Sequence, residues 1–336
     1  MSGADVASAS WSPVARVSPA IPARLAPVCA AHVGQVEAVQ ELTSGNVSHV
    51  FRVSGTRGTV VLKARTDRFA RIPHLETDPA LIGLERRAIA LLGSAVADVF
   101  PRILHYDPAV HAMVLTDIFP DRRTYEDHLL ERPATVSEMR LLGDALRRVH
   151  RATRVMTAPL RADGDTEFRN LTFALCLEQH GHPVLGDLAA RLRATADRQL
   201  ILGDPAPKNM SLTGGRVAIC DLDNVHLGSP LYDLGYLTGH VVLHHVQHTG
   251  RTGHLVRSLL DAYQGSDHWS ETEEETVSAV AGATILYRLW DKNVPYRLTL
   301  TTCERSAVAE AVWDVLSSPS LGLAELIGRT ETSLRR

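Results

Sequence analysis

Between Leu202 and Asp223 the chain reads LGDPAPKNMSLTGGRVAICDLD, and this stretch limits the possible folds more than any other. Asn209 follows Asp204 by five residues, and Asp221 follows Asn209 by twelve, at the end of the apolar run Val217-Ala218-Ile219-Cys220. Gly214-Gly215 between two short apolar runs predicts a tight hairpin turn. A plain β-hairpin is one reading of the segment. The other is chemical: an aspartate, an asparagine at plus five and a second aspartate at a strand end are the parts a phosphoryl-transfer site needs. Asp204 would accept the proton of an attacking hydroxyl. Asn209 and Asp221, with Asp223 as a helper, would offer magnesium the hard oxygen ligands it prefers. Lys208 either neutralises the transferring phosphoryl group or is simply solvated.

A chain of 336 residues suits two lobes or two domains. With 45% hydrophobic residues, 22% charged residues and a net charge of -3, it has a globular composition. Neither a basic footprint for nucleic acid nor a polybasic patch for a membrane is present. No apolar run approaches the roughly 18 to 20 residues of a membrane span. The first 30 residues lack a basic stretch leading into an apolar core, so no secretion signal is read. Pro13, Pro19, Pro22 and Pro27 predict an irregular lead-in over residues 1–35. Cys29, Cys176, Cys220 and Cys303 have neither metal-ligand spacing nor a disulfide framework, which suggests the reducing cytoplasm. His240, His244, His245 and His248 crowd one segment. Zinc binding is one reading and a partly exposed helix face the other, and the His-Glu-x-x-His pattern is missing.

Upstream, turn residues between β-branched runs predict a three-strand meander over residues 38–64. Leu81, Leu84, Ala88, Leu91 and Leu92 have helical spacing over 79–93, and Glu85 lies among them. Two strands follow, Phe100 to Tyr106 and His111 to Ile118, with Asp107-Pro108 between them. Residues 136–154 predict a long amphipathic helix with Met139, Leu142, Ala145, Leu146 and Val149 on one face. Helices then dominate, apart from the strand pair around 211–223. The expectation is an α+β chain: a small antiparallel-sheet lobe with one helix over 36–118, then a mainly helical lobe over 119–330 carrying the hairpin. A nucleotide between two such lobes would follow the usual placing of ligand sites at domain interfaces.

Lys63 is the only lysine in the first 200 residues and sits in the apolar run Val60-Val61-Leu62-Lys63-Ala64. A buried lysine is costly without partners, and nucleotide phosphates together with Glu85 would supply them. An edge-strand lysine reaching to water is the alternative. Ser44, Gly45 and Asn46 begin a turn that either covers phosphates with its N–H groups or is an ordinary hairpin turn. Asp233, in Gly228-Ser229-Pro230-Leu231-Tyr232-Asp233-Leu234, is expected to cap the helix that follows. Glu271, Glu273, Glu274 and Glu275 read as a solvated helix start or as a site for a polycation.

Three motifs together carry a resemblance: Leu202-Gly203-Asp204 to Asn209, Cys220-Asp221-Leu222-Asp223, and Gly228 to Leu234. They are similar to the His-Gly-Asp-x-x-x-x-Asn, Ile-Asp-hydrophobic-Glu/Asp and Gly-x-Pro-x-x-Asp-Leu motifs of the aminoglycoside phosphotransferase and choline kinase-like small-molecule kinases. The segment Leu142 to His150 resembles that family's helix before the catalytic loop. The resemblance runs from about residue 40 to 300. It implies a bilobal protein-kinase-like fold, ATP (or GTP) with Mg2+, and a small-molecule hydroxyl acceptor. Within the family the first lobe is most similar to methylthioribose kinase, through Gly45-Asn46 to Val53 and Leu115-Thr116-Asp117-Ile118. On the kinase reading, the backbone at Thr116 and Ile118 would pair with an adenine edge. Leu202 stands where the family has histidine, and Pro205-Ala206-Pro207-Lys208 departs from the usual loop. The expected acceptor is sugar-like, nucleoside or antibiotic-type, held after residue 236 and around Tyr287-Arg288. A non-catalytic, pseudokinase-like nucleotide-binding module is the alternative, and a methylthioribose- or choline-type kinase a further one. The chain is expected to act as a monomer or homodimer.

Overall fold

The computed structural model describes residues 23–43, 45–158, 160, 173–194, 198–248, 251–266, 269–290, 296–318 and 322–334. They divide into two compact units. One holds the residues up to Ala90 together with Pro101–Ile118, and the other holds Leu91–Phe100 together with those from Phe119 onward.

The first unit is built on one antiparallel sheet. Helix α1 (Ala26–Val33) precedes β1 (Val36–Leu42), β2 (His49–Gly55) and β3 (Gly58–Ala64); helix α2 (Ile82–Ala95), β4 (Ile103–Asp107) and β5 (Ala112–Thr116) follow. The spatial order is β1-β2-β3-β5-β4. Strand alternation sends Phe51, Val53, Val60, Leu62 and Ala64 to one face, where they pack with Leu25, Cys29 and Val33. Burying each large apolar side chain there contributes about 1.5–3 kcal/mol. Residues 23–33 are therefore helical and part of this core, not an irregular lead-in. Pro27 is tolerated because it sits in the first turn of α1, where its missing N–H would have had no partner. Residues 1–22 of the expected lead-in lie outside the described residues.

The second unit is mainly helical. It contains α3 (Tyr125–Glu131), α4 (Val136–Thr153), α5 (Pro183–Ala194), β6 (Gln199–Ile201), β7 (Met210–Thr213), β8 (Arg216–Ile219), β9 (His226–Gly228), α6 (Pro230–Val246), α7 (Gly253–Gln264), α8 (Glu271–Trp290), α9 (Thr302–Leu316) and α10 (Leu323–Ser333). Thr135 and Glu138 close a capping box at the start of α4, whose expected apolar face is buried. The acidic run 271–275 opens α8, the solvated-start reading. Leu91–Phe100, expected with the first lobe, groups here because the Val99 carbonyl accepts from the Ile219 N–H at 2.6 Å. The strands expected at 100–106 and 111–118 are shorter, 103–107 and 112–116.

The histidine-rich segment is helix α6, but it is not a partly exposed face. His240 and His244 have no exposed surface and His245 has 4%. Gly235 and Gly239 let α8 approach closely, covering that side. Among the described residues, no helix is long and apolar enough to cross a membrane. All four cysteines are free thiols.

Candidate active site

In the first unit, Lys63 lies on β3 between Val50 of β2 and Met113 of β5, on the sheet face opposite the α1 core. Its Nζ is 2.7 Å from Glu85 Oε1 of α2, with side-chain exposures of 7% and 1%. The edge-strand reading is thus replaced by a buried ion pair on a central strand. Breaking such a pair by removing one partner costs about 3–5 kcal/mol, because the other charge stays buried. Asn46 and Val47 offer their carbonyls to the N–H groups of Arg71 and Ala70, so the turn is held by a neighbouring loop. Gly45 is described, and Ser44 lies outside the described residues. Thr116 ends β5, and its hydroxyl accepts from the Arg102 N–H at 2.9 Å. Ile118 follows as a partly buried residue of the same unit.

In the second unit, Met210 pairs with Ile219 and Thr213 with Arg216, which makes the hairpin. Gly214 and Gly215 both have positive φ, 61° and 72°, the conformation a two-residue turn of this hand requires. The hairpin reading and the chemical reading therefore hold together. Cys220 N–H donates to the Asn209 carbonyl at 2.9 Å, which keeps the turn after β8 beside the loop before β7. Asp221 itself has φ 63° and ψ 64°, the left-handed region that aspartate enters more readily than most residues.

Asn209 Nδ2 donates to Asp204 Oδ2 at 3.2 Å and to the Asp204 carbonyl at 3.1 Å. Both partners can only accept, so the amide orientation is fixed and its carbonyl oxygen faces away from Asp204. The Asp221 and Asp223 carboxylates on the adjoining turn come within 4.8 Å of each other, and carboxylate oxygens are hard donors of the kind magnesium takes. Lys208 Nζ stands 3.8 Å from Asp204 Oδ2. Asp204 Oδ1 is buried and accepts no hydrogen bond among the described residues. Leaving such a group unpaired costs about 1–3 kcal/mol, which makes an orphan a marker of function.

The loop that carries Asp204 is fixed from behind. Asp233 Oδ2 accepts from Leu202 N–H at 2.7 Å, and Oδ1 accepts from Gly203 N–H at 2.8 Å. His150 Nε2 donates to Asp233 Oδ2 at 3.0 Å, and His150 Nδ1 is 2.8 Å from the Tyr263 hydroxyl. Asp233 therefore does not cap its own helix. Ser229 does, and Asp233, one turn inside α6 and fully buried, serves the loop. Gly203 has φ 76°, and a Cβ there would come within 2.3 Å of the Asn224 carbonyl, so no other residue fits.

Arg288 of α8 is 4% exposed and places Nη2 3.6 Å from Asp204 Oδ1. It donates to the Tyr236 hydroxyl, and its guanidinium carbon lies 4.5 Å from the Tyr287 ring centre and 5.4 Å from that of Tyr296. The Tyr296 hydroxyl joins His240 Nδ1 to His244 Nε2. Burial pushes the His240 imidazole well below its usual range and lowers His244 to about 3, so both are neutral.

The sequence pattern of the phosphotransferase enzyme family matches residues 38–274, well over half of the chain. The chain belongs to the phosphotransferase enzyme family. Solved structures share its protein-kinase-like fold at low identity. A choline/ethanolamine kinase family protein from Mesorhizobium loti aligns over 89% of this chain and 94% of its own, with 18% identity and a TM-score of 0.53. Amicoumacin kinase hAmiN, solved with AMP-PNP, Ca2+ and Ami, aligns over 90% and 96%, with 12% identity and a TM-score of 0.54. Spectinomycin phosphotransferase, solved with ADP and spectinomycin, aligns over 92% and 98%, with 14% identity and a TM-score of 0.53. No curated protein sequence matches the chain.

As a phosphotransferase, the protein transfers a phosphoryl group to a hydroxyl of a small molecule. Sequence reasoning missed how the loop that carries Asp204 is held, for which His150 at the end of the family-like helix was a local signal. It placed Arg288 by the acceptor, but not against Asp204.

Proposed function

We propose that this phosphotransferase moves the γ-phosphoryl group of ATP (or GTP) to a hydroxyl of a sugar-like, nucleoside or antibiotic-type acceptor. The observation that carries the reading is Oδ1 of Asp204, which accepts no hydrogen bond among the described residues and faces the Arg288 guanidinium at 3.6 Å. One oxygen of that carboxylate is tied to Asn209, which leaves the other to take the hydroxyl's hydrogen bond and then its proton. Lys63, held by Glu85, receives the nucleotide phosphates. Gly45 and Asn46 cover them, and Thr116 and Ile118 offer backbone groups to the base. Lys208 offsets charge on the group in transit. Asn209 and Asp221, with Asp223 beside them, would hold magnesium, which when bound neutralises phosphate charge. Positioning and charge neutralisation supply most of the rate gain.

Leu202, in place of histidine, had favoured a non-catalytic reading. Its backbone N–H is held by Asp233, a contact that does not depend on the side chain and supports the catalytic reading. The test is ADP release with ATP and magnesium over a panel of pentoses, nucleosides, aminoglycosides, methylthioribose and choline. Acceptor-dependent release supports the reading. Tight ATP binding with no release above the rate without acceptor, across the whole panel, would favour the binding module.

A further inference from the structure

Three buried polar atoms without a hydrogen bond belong to Asp204 and to two residues linked to it through Arg288, and they differ in kind. Asp204 Oδ1, Arg288 Nε and His240 Nε2 each lack a hydrogen bond among the described residues. The first only accepts. Arg288 Nε is always a donor.

His240 can be assigned through a chain of contacts. Thr299 N–H, an obligate donor, is 3.0 Å from Gln247 Oε1, which orients that amide and turns its Nε2 to His244 Nδ1 at 3.3 Å. His244 Nδ1 therefore accepts. A neutral imidazole has one N–H, so that of His244 is on Nε2 and points to the Tyr296 oxygen at 2.6 Å. Tyr296 then spends its only proton on His240 Nδ1. His240 carries its own proton on Nε2, with no hydrogen-bond acceptor for it among the described residues.

These groups form one assembly. The His240 ring lies 4.8 Å from Tyr236 and 5.2 Å from Tyr296, centre to centre, and Arg288 contacts both tyrosines. Arg288 Nε shares one edge of the guanidinium with Nη2, and Nη2 stands 3.6 Å from Asp204 Oδ1. Such an edge receives carboxylate or hydroxyl oxygens in pairs. A ligand oxygen that reached both donors would supply the hydrogen bonds they lack.

We propose that Arg288 and His240 select the acceptor: an alcohol whose reacting hydroxyl is flanked by an oxygen hydrogen-bond acceptor, a carboxylate in the strongest case, and not by an ammonium group. The hydroxyl donates to Asp204 Oδ1 while the flanking oxygen accepts from Arg288 Nε–H and His240 Nε2–H. An ammonium would bring a third set of donors to two donors and a fixed positive charge. This inference rests on the phosphoryl-transfer reading above.

The experiment is calorimetric binding, with the nonhydrolysable ATP analogue and magnesium present, of four simple alcohols: glycerate, ribose, choline and ethanolamine. Binding of glycerate or ribose, with choline and ethanolamine at least about 10-fold weaker, supports the proposal. Preference for the cationic pair, or binding of neither pair, overturns it. A protein that binds no nucleotide at all overturns the phosphoryl-transfer reading as well, and the analogue titration reports this separately. With the acceptor that binds best, His240→Phe weakens acceptor binding by about 10- to 100-fold, the worth of one hydrogen bond to a charged group. His240→Gln, which restores a donor at nearly the same reach, recovers most of it. Equal acceptor affinity in wild type and His240→Phe, with folding verified by circular dichroism, contradicts the assignment of His240.

Discussion

Replacing Asp233 by asparagine keeps the side chain's shape and removes one of its two acceptors. The carboxylate accepts three hydrogen bonds, from Leu202 N–H, Gly203 N–H and His150 Nε2, and is fully buried. An amide has a single oxygen. Placed at the Oδ2 position it keeps Leu202 and His150, but its NH2 then faces the Gly203 N–H, donor against donor. One buried N–H left unsatisfied costs about 1–3 kcal/mol. The two surviving bonds lose their charge, at about 1 kcal/mol each, since bonds to ions are roughly twice as strong as neutral ones. The expected loss is therefore about 3–5 kcal/mol in unfolding free energy. Urea denaturation of wild type and Asp233→Asn measures it, and hydrogen exchange at Leu202 and Gly203 locates it. Those two amides should lose protection before β6 does. Turnover should fall too, although Asp233 touches no reactant. Stability within about 0.5 kcal/mol of wild type, together with unchanged protection at both amides, would refute the reasoning.

Two further predictions follow from buried charge and buried imidazole. Lys63→Met should destabilise the protein by about 3–5 kcal/mol because Glu85 is left buried without its lysine. The double variant Lys63→Met, Glu85→Leu should recover most of that stability in thermal denaturation while nucleotide affinity stays lost. Recovery of affinity as well would reduce the pair to a structural one. The neutral histidines set a pH dependence. His244 is held down at about 3 and His240 well below its usual range, both chiefly by burial, while in the unfolded chain each titrates near ~6.5. Below that pH the unfolded chain binds more protons, so stability is complete above about 6.5 and declines as pH falls. The slope is about 1.4 kcal/mol per pH unit for each histidine, down to about 3 for His244. Urea titrations between about pH 4 and 8 should show it, and His244→Gln should flatten the slope by about one proton. An unchanged slope would mean that His244 is protonated in the fold.

What could be read from the sequence was local or chemically odd. Asp204, Asn209 and Asp221 flank one hairpin, so their spacing alone suggested their neighbourhood. Lys63 stood out because a lysine in an apolar strand needs a partner, and Glu85 lay on the next helical pattern. The features missed depend on contacts that no local pattern encodes. His150 and Asp233 are 83 residues apart, and Tyr296 is 52 residues from His244. Asp233 was read as a cap because aspartate favours helix starts, and tertiary demand from the Leu202-Gly203 amides outweighed that preference. Pro27 misled in the same way: prolines suggested irregular chain, but a helix's first turn accepts one.

The central claim is that Asp204 receives the proton of the acceptor hydroxyl. Asp204→Asn keeps the side chain's size and its place beside Asn209 while removing the basic oxygen. Titrating this variant with a fluorescent ATP analogue and magnesium, beside its acceptor-dependent ADP release, separates binding from chemistry. The account predicts nucleotide affinity within a few-fold of wild type and turnover lower by about 10²- to 10⁴-fold, the usual worth of a general base. Turnover close to wild type with intact nucleotide binding would contradict it.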